Sequence, residues 1–267
     1  MQEFKYLIKN GNLEPDVKCI TCSGEKVIYE VIMILNKKPL FCEEHLVRMI
    51  KSVELSDHKM LRSKEELEAD IRTLIEANDI EHNNIKIEMC FTGVNEGETR
   101  VFCIPSNYPD EETYKAGVPT VLYNISRVNP NVKLHNQDFK TEIEKIREGK
   151  YFEVILVNKN FLVCEGSRSN LFFVRDGKIL TPKGENVLMG ITREMVFKTA
   201  NDNGIPIKEL DIQVFDIGEF DAAFITGTSI GVLPLKGISN VEFDSVNNET
   251  VKLMQKLYNQ AVDENIK

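Results

Sequence analysis

Two α+β domains are what this 267-residue sequence predicts, and three observations predict them. In the first half, β-branched strand-like segments are interleaved with segments of helical period. The second half is richer in short strands broken by tight turns. Between them, the stretch Pro105 to Pro119 carries prolines, tyrosines and Gly117 and reads as a loop running into a connector. The length suits two modest domains, and a composition of 42% hydrophobic and 28% charged residues suits packed cores. The expected organisation is a small α+β N-terminal domain over residues 1–118, a linker over 119–124 and a larger strand-rich C-terminal domain over 125–267.

In chain order, Phe4–Ile8 and Val27–Leu35 are strand-like. Leu46, Met49, Ile50 and Val53 recur at helical spacing, which predicts an amphipathic helix from about Glu43 to Val53. Ser63 followed by Glu66 is a capping-box signal, and Leu67, Ile71, Leu74 and Ile75 continue that second helix. Alternation over Ile85–Phe91 predicts a half-buried strand. In the second half, Glu153–Val157 and Phe161–Cys164 flank an Asn-Lys-Asn turn, and Asn170–Val174 and Lys178–Leu180 flank Asp176-Gly177, a hairpin signal. A helix from Thr192 to about Asn203 follows, then short buried strands at Ala222–Thr226 and Val232–Leu235. Val251, Met254, Tyr258 and Ala261 place a helical stripe on the tail from Asn248 to about Glu264.

Charge narrows the function. The net charge is −9 and no block of Lys or Arg occurs, which argues against nucleic acid or an anionic membrane as partner. No apolar run is long enough to span a bilayer, and the start lacks a signal-peptide core, so the protein is expected in the cytoplasm. The six cysteines are scattered, and reduced thiols are the expectation there. Cys19 and Cys22 form a lone C-x-x-C with no second pair or suitably spaced His, so no metal site is expected.

One motif points elsewhere. Gly227-Thr-Ser229-Ile-Gly231 matches the G-x-S-x-G nucleophile elbow of the hydrolases. That elbow needs a helix after the serine, where this chain has Pro234, and a histidine downstream. His45, His58, His82 and His135 all lie upstream of Ser229. The hydrolase reading fails on both counts.

Other segments suit an anion. Gly190-Ile191-Thr192-Arg193 opens a helix, whose first N–H groups and positive dipole end make a phosphate site, although an ordinary Thr cap reads the same way. Thr226-Gly227-Thr228-Ser229 gathers hydroxyls and a glycine at a strand end, suited to a phosphate or to a plain polar turn. Glu165 stands where the chain leaves a strand, a place where a lone carboxylate is usually solvated.

Taken together, Glu165-Gly-Ser-Arg-Ser-Asn-Leu-Phe-Phe-Val174, Asp176-Gly177, Thr181-Pro182, Gly190-Ile191-Thr192-Arg193 and Thr226-Gly227-Thr228 resemble the signature of the class IV aminotransferases. Branched-chain and D-amino-acid aminotransferases and aminodeoxychorismate lyases belong to that family. The resemblance runs from about Tyr29 to Leu235. It implies a two-domain fold-type-IV α+β enzyme that holds pyridoxal 5′-phosphate (PLP) at the domain interface and works as a homodimer.

The resemblance also implies roles. The family's cofactor lysine suits Lys133, 32 residues before Glu165, and not Lys140. Its amine would form a Schiff base with the cofactor aldehyde and shuttle a proton at the substrate α-carbon. Glu165 resembles the acid that keeps the pyridine nitrogen protonated. Ile191 and Thr192 would give backbone N–H groups to the phosphate, and Thr228 and Ser229 hydroxyls. Phe41-Cys-Glu-Glu-His45-Leu-Val-Arg48-Met-Ile-Lys-Ser52 is similar to the family's first helix, in which Arg48 would clamp the phosphate. His45, Arg48 and Ser52 share a face away from the apolar stripe; taken alone, that face would be solvated. Tyr29, in Val27-Ile-Tyr29-Glu30-Val31, would border the substrate.

Before Tyr29 the family's usual Asp and aromatic/glycine pattern is replaced by Cys22-Ser-Gly-Glu-Lys-Val, and no Arg-x-His substrate clamp occurs around Cys90–Pro105. The expected activity is transamination between a small-molecule amino acid and a 2-oxo acid, favoured because the lyases tend to carry Thr after the Glu of this strand. A lyase releasing pyruvate, or a PLP-binding protein without turnover, are the alternatives.

Overall fold

The computed structural model describes residues 4–15, 26–125, 131–134 and 136–267. Two compact units divide the chain: Met1–Asn107 with Val132–His135 and Asn265–Lys267, and Tyr108–Asn131 with Asn136–Glu264. Among the described residues, no helix is long and apolar enough to cross a membrane.

The first unit contains strands β1 (Tyr6–Lys9), β2 (Asn12–Pro15), β3 (Lys26–Leu35) and β4 (Lys38–Pro39). Helices α1 (Cys42–Glu54) and α2 (Lys64–Asn78) follow, then β5 (His82–Phe91) and β6 (Gly97–Ile104). The strands form one sheet in the order β2-β1-β6-β5-β3-β4. Along β3, Ile28, Glu30, Ile32 and Ile34 are buried while their neighbours are partly open, the period of two that puts alternate side chains on one face. That face packs on Leu46, Met49 and Val53 of α1 and Leu67, Ile71 and Leu74 of α2. Ser63 caps α2 as a reciprocal capping box with Glu66. The strand expected as half-buried, β5, is buried along nearly its whole length because β3 and β6 pair on both its sides.

The second unit begins with α3 (Glu111–Ala116) and β7 (Val118–Asn124). It continues through α4 (Gln137–Arg147), β8 (Glu153–Val157), β9 (Val163–Gly166), β10 (Asn170–Arg175), β11 (Lys178–Pro182) and α5 (Ile191–Asp202). The chain then adds β12 (Ile207–Leu210), β13 (Ala222–Gly227), β14 (Gly231–Ile238), β15 (Val241–Glu242) and α6 (Glu249–Asn265). The sheet order is β12-β11-β10-β13-β14-β7-β8-β9, with β15 beside β14. Asp176 and Gly177 both take positive φ (51° and 70°), the turn that matches the twist of the hairpin strands β10 and β11.

Two expectations change here. Residues 119–124, expected as a linker, lie in β7, which pairs in parallel with both β14 and β8. Its Val-Leu-Tyr run is short and follows a proline, so the signal for a loop hid a central strand. The Pro105–Pro119 stretch likewise contains α3, started by Asp110, whose carboxylate accepts from the Thr113 N–H. The lone C-x-x-C of Cys19 and Cys22 and the Arg127–Pro130 part of the lysine stretch lie outside the described residues. Cys42, Cys103 and Cys164 are in the reduced thiol form. Burial pushes Cys42 and Cys164 up to about 11, which keeps them protonated. Cys90 departs from the reduced state expected of all six: it is disulfide-bonded.

Candidate active site

In the first unit the candidate residues gather on β3 and α1. Glu30 is fully buried among the isoleucines of β3, and a carboxylate there needs partners. Arg48 supplies two: Nε donates to Oε1 at 2.8 Å and Nη2 to Oε2 at 2.6 Å. His45, one turn earlier on α1, places Nδ1 2.9 Å from Oε2, and this nitrogen carries the proton because a carboxylate only accepts. Burial alone would raise the Glu30 carboxyl. The Arg48 charge and the hydrogen bonds from His45 and Arg48 outweigh it and bring the group down to about 2. His45 is pushed down by burial, against the pull of Glu30, and stays neutral near pH 7. The His45/Arg48/Ser52 face is therefore buried, with all three residues at 9% exposure or less, where composition alone would have left it solvated. The missed residue is Glu30. Its signal was a charge in the inward series of an otherwise apolar strand.

Tyr29 faces the other side of β3. Lys133 lies beside it in a short extended piece: the Tyr29 N–H donates to the Lys133 carbonyl at 3.2 Å, and Ile28 and Leu134 form an antiparallel bridge. The Lys133 ammonium nitrogen is 5.1 Å from the centre of the Tyr29 ring and that of Lys86 is 4.7 Å from it, both within cation–π range. This pairing puts Lys133 in the first unit, whereas its place in the sequence put it with the second.

In the second unit the candidates meet around Asn170, a member of the Glu165–Val174 motif to which the sequence alone assigns no role. Glu165, at the end of β9, is 2% exposed and not solvated. Its Oε2 accepts from Asn170 Nδ2 at 3.2 Å and from the Leu188 N–H at 3.0 Å, while Asn170 Nδ2 also donates to the Leu188 carbonyl at 2.8 Å. Gly190 is the N-cap of α5 and offers no side chain to its N–H groups. A Cβ on Gly190 would run into Asn170 Oδ1, so a capping Ser or Asp has no room there. The first amides of α5, from Ile191 and Thr192, thus have neither an intrahelical acceptor nor a capping side chain. Across the sheet Asn170 pairs with Thr226, whose buried hydroxyl has no hydrogen-bond partner among the described residues. Thr228 and Ser229 follow in the turn between β13 and β14, half-buried. No helix follows Ser229, because β14 starts at Gly231 and carries Pro234, which disposes of the hydrolase elbow.

An uncapped helix start, an unanswered buried hydroxyl and a buried carboxylate fit a ligand with an anionic group at one end and a protonated ring nitrogen at the other. PLP is such a ligand. Its phosphate would take the amides of Ile191 and Thr192 and the hydroxyls of the β13–β14 turn; its ring nitrogen would take Glu165.

Known proteins share this sequence pattern and this fold. The family described as Amino-transferase class IV matches residues 27–238. The chain is 30% identical over 229 residues to the probable branched-chain-amino-acid aminotransferase of Thermotoga maritima, covering 83% of this chain and 80% of that one. It is 28% identical over 254 residues to the D-alanine aminotransferase of Listeria monocytogenes, covering 89% and 86%. A branched-chain amino acid aminotransferase of Thermoproteus uzoniensis, solved with norvaline, has the same fold, with a TM-score of 0.84 at 21% identity over 97% of this chain and 95% of that one. The fold is that of the α+β aminotransferases of fold type IV. The chain itself belongs to the class IV aminotransferase family.

Proposed function

We propose that the protein binds PLP and transfers the amine of an amino acid to a 2-oxo acid. The observation that carries this reading is the Glu165–Asn170–Gly190 cluster, which fits a protonated ring nitrogen and a phosphate, in a chain whose relatives above are named as aminotransferases. The cofactor supplies an aldehyde that carries the amine and a ring that accepts electrons from the substrate α-carbon. Lys133 would hold the cofactor through its ε-amine and move the proton at the substrate α-carbon. Glu165 holds the proton on the ring nitrogen, and Asn170 and the Leu188 N–H keep its carboxylate in place. Arg48, Ile191, Thr192, Thr228 and Ser229 bind the phosphate, and Tyr29 borders the substrate. Two copies of the chain form the working enzyme, as the family resemblance implies, and light scattering of the purified protein tests this directly.

Single-turnover spectroscopy tests the reaction. Branched-chain amino acids and D-alanine, the substrates named for the relatives, are each mixed with the PLP-loaded protein, and 2-oxoglutarate or pyruvate is then added. Conversion of the visible band to that of the amine form, reversed by the oxo acid, is the expected result. Pyruvate release from aminodeoxychorismate without an acceptor, with no amine form from any amino acid, would replace transamination by the lyase reaction.

A further inference from the structure

Outside the residues assigned above, the second unit buries one more carboxylate that the proposed chemistry does not use. Glu153, the first residue of β8, is 0% exposed. Its carboxylate is wrapped by donors from the turn that joins β9 to β10. Ser167 Oγ donates to Oε1 at 2.5 Å, Ser169 Oγ to Oε2 at 2.9 Å, and the Arg168 N–H to Oε2 at 3.4 Å. The Val154 N–H adds a further donor to Oε1 at 2.8 Å, and the half-exposed Arg168 guanidinium stands 3.8 Å from Oε2. A buried carboxylate needs donors of this kind to replace the water its oxygens lose.

Those donors lie in a particular place. The connecting segment runs from Gly166, the last residue of β9, to Ser169, with Glu165 immediately before it and Asn170 immediately after. Three of its four residues donate to Glu153. Gly166 makes room for this arrangement: a Cβ there would run into Ser169 Oγ, and then meet Glu153 Cγ at 3.0 Å and Cδ at 3.1 Å. The glycine leaves the space taken by the serine that bonds the acid and by the acid behind it. The Ser167 N–H adds a 2.8 Å bond to the Val154 carbonyl. The two ends of the turn meet each other, through Asn170 Nδ2 on Glu165 Oε2 at 3.2 Å. Whatever fixes the middle of so short a turn fixes the direction in which both ends point.

We propose that Glu153 is a positioning residue for the proposed amine transfer: its carboxylate is the template on which the 166–169 segment folds, and it thereby aims Glu165, held by Asn170, at the cofactor ring nitrogen. The proposal rests on the role assigned to Glu165. Glu153 touches neither cofactor nor substrate. The reason for an acid at this position is acceptor capacity: one carboxylate offers about four lone-pair sites to the Ser, Ser and backbone donors, whereas an amide oxygen offers about two.

The test compares Glu153→Gln, Glu165→Gln and the double variant, all loaded with PLP carrying 15N in the ring. In the unloaded protein, amide hydrogen exchange at residues 167–170 should be faster in Glu153→Gln than in wild type. In the loaded protein, the ring-nitrogen shift should move towards the unprotonated value, and the amino-acid half-reaction should slow by about tenfold or more. In the Glu165→Gln background the same change should cost at most about twofold, because both act through one contact. A Glu153→Gln variant with wild-type shift and rate, beside a slow Glu165→Gln, overturns the proposal and leaves Glu165's role standing. Additive losses overturn it too, since Glu153 would then act by another route. A Glu165→Gln variant of unchanged rate removes the role of Glu165 and the proposal with it. Should Glu153→Gln fail to fold, Ser169→Ala removes a single donor and is expected to shift the ring nitrogen in the same direction; a wild-type shift in that variant overturns the proposal.

Discussion

Arg48 holds both carboxylate oxygens of Glu30 through two different nitrogens, Nε at 2.8 Å and Nη2 at 2.6 Å, in a site where Glu30 has no exposure at all. The fork fixes the guanidinium plane against β3, and His45 closes the second oxygen of the acid. An arginine so held loses little further freedom when it binds an anion, which is what a phosphate clamp requires.

The pair makes stability depend on acid. Glu30 sits at about 2 in the folded protein against an ordinary 4.5, so its contribution is complete above pH 4.5 and is lost as pH falls towards 2. His45 is depressed from its ordinary 6.5, so the unfolded chain takes up its proton first and stability also declines below that value. The Glu30 share is on the order of 3 kcal/mol. Urea unfolding of Glu30→Gln should show a loss of about 3–5 kcal/mol at pH 7, because the Arg48 charge stays buried, and a shallower decline between about pH 5 and pH 3. An unchanged acid slope would remove Glu30 as its source.

Arg48→Lys keeps the positive charge and loses the fork. PLP should be held about tenfold less tightly or worse, with little change in far-ultraviolet dichroism. Equilibrium dialysis that gives the wild-type dissociation constant would show that Arg48 serves only Glu30.

Borohydride reduction of the PLP-loaded protein, followed by peptide mapping, should place the pyridoxyl group on Lys133. The expectation rests on its place beside the Tyr29 ring, joined to β3 through the Tyr29 N–H. Label on Lys86, the other ammonium near that ring, would move the assignment to a neighbour on the same sheet.

Glu165→Gln should keep the cofactor and slow the amino-acid half-reaction by about a hundredfold, the equivalent of about 3 kcal/mol of transition-state stabilisation. The amide accepts a hydrogen bond but cannot hold the ring nitrogen protonated. Stopped-flow rates equal to wild type would contradict this role.

Gly190→Ala introduces a methyl group where Asn170 Oδ1 already sits, and Asn170 is held in place by Glu165 and Leu188. The start of α5 must shift, so phosphate affinity should fall by about tenfold. Measured with inorganic phosphate as a competitor of PLP, an unchanged affinity would separate this helix start from the phosphate.

By itself the sequence determined what short-range physics controls. The α1 stripe, the Ser63–Glu66 capping box, the Asp176-Gly177 hairpin and the α6 stripe each depend on neighbours within a few residues, and each stands where its pattern placed it. The order of family motifs likewise named the family. Only the tertiary structure decided whether a polar residue is solvated or paired. Glu30 and Arg48 are 18 residues apart, Glu153 and Ser169 are 16, and Glu165 and Leu188 are 23. No local period links such pairs, because burial and strand register bring them together. The same holds for β7: a segment read as a linker became a central strand because β8 and β14 were there to pair with it. Strand formation is settled by partners distant in the chain, and helix caps and hairpin turns by partners close at hand.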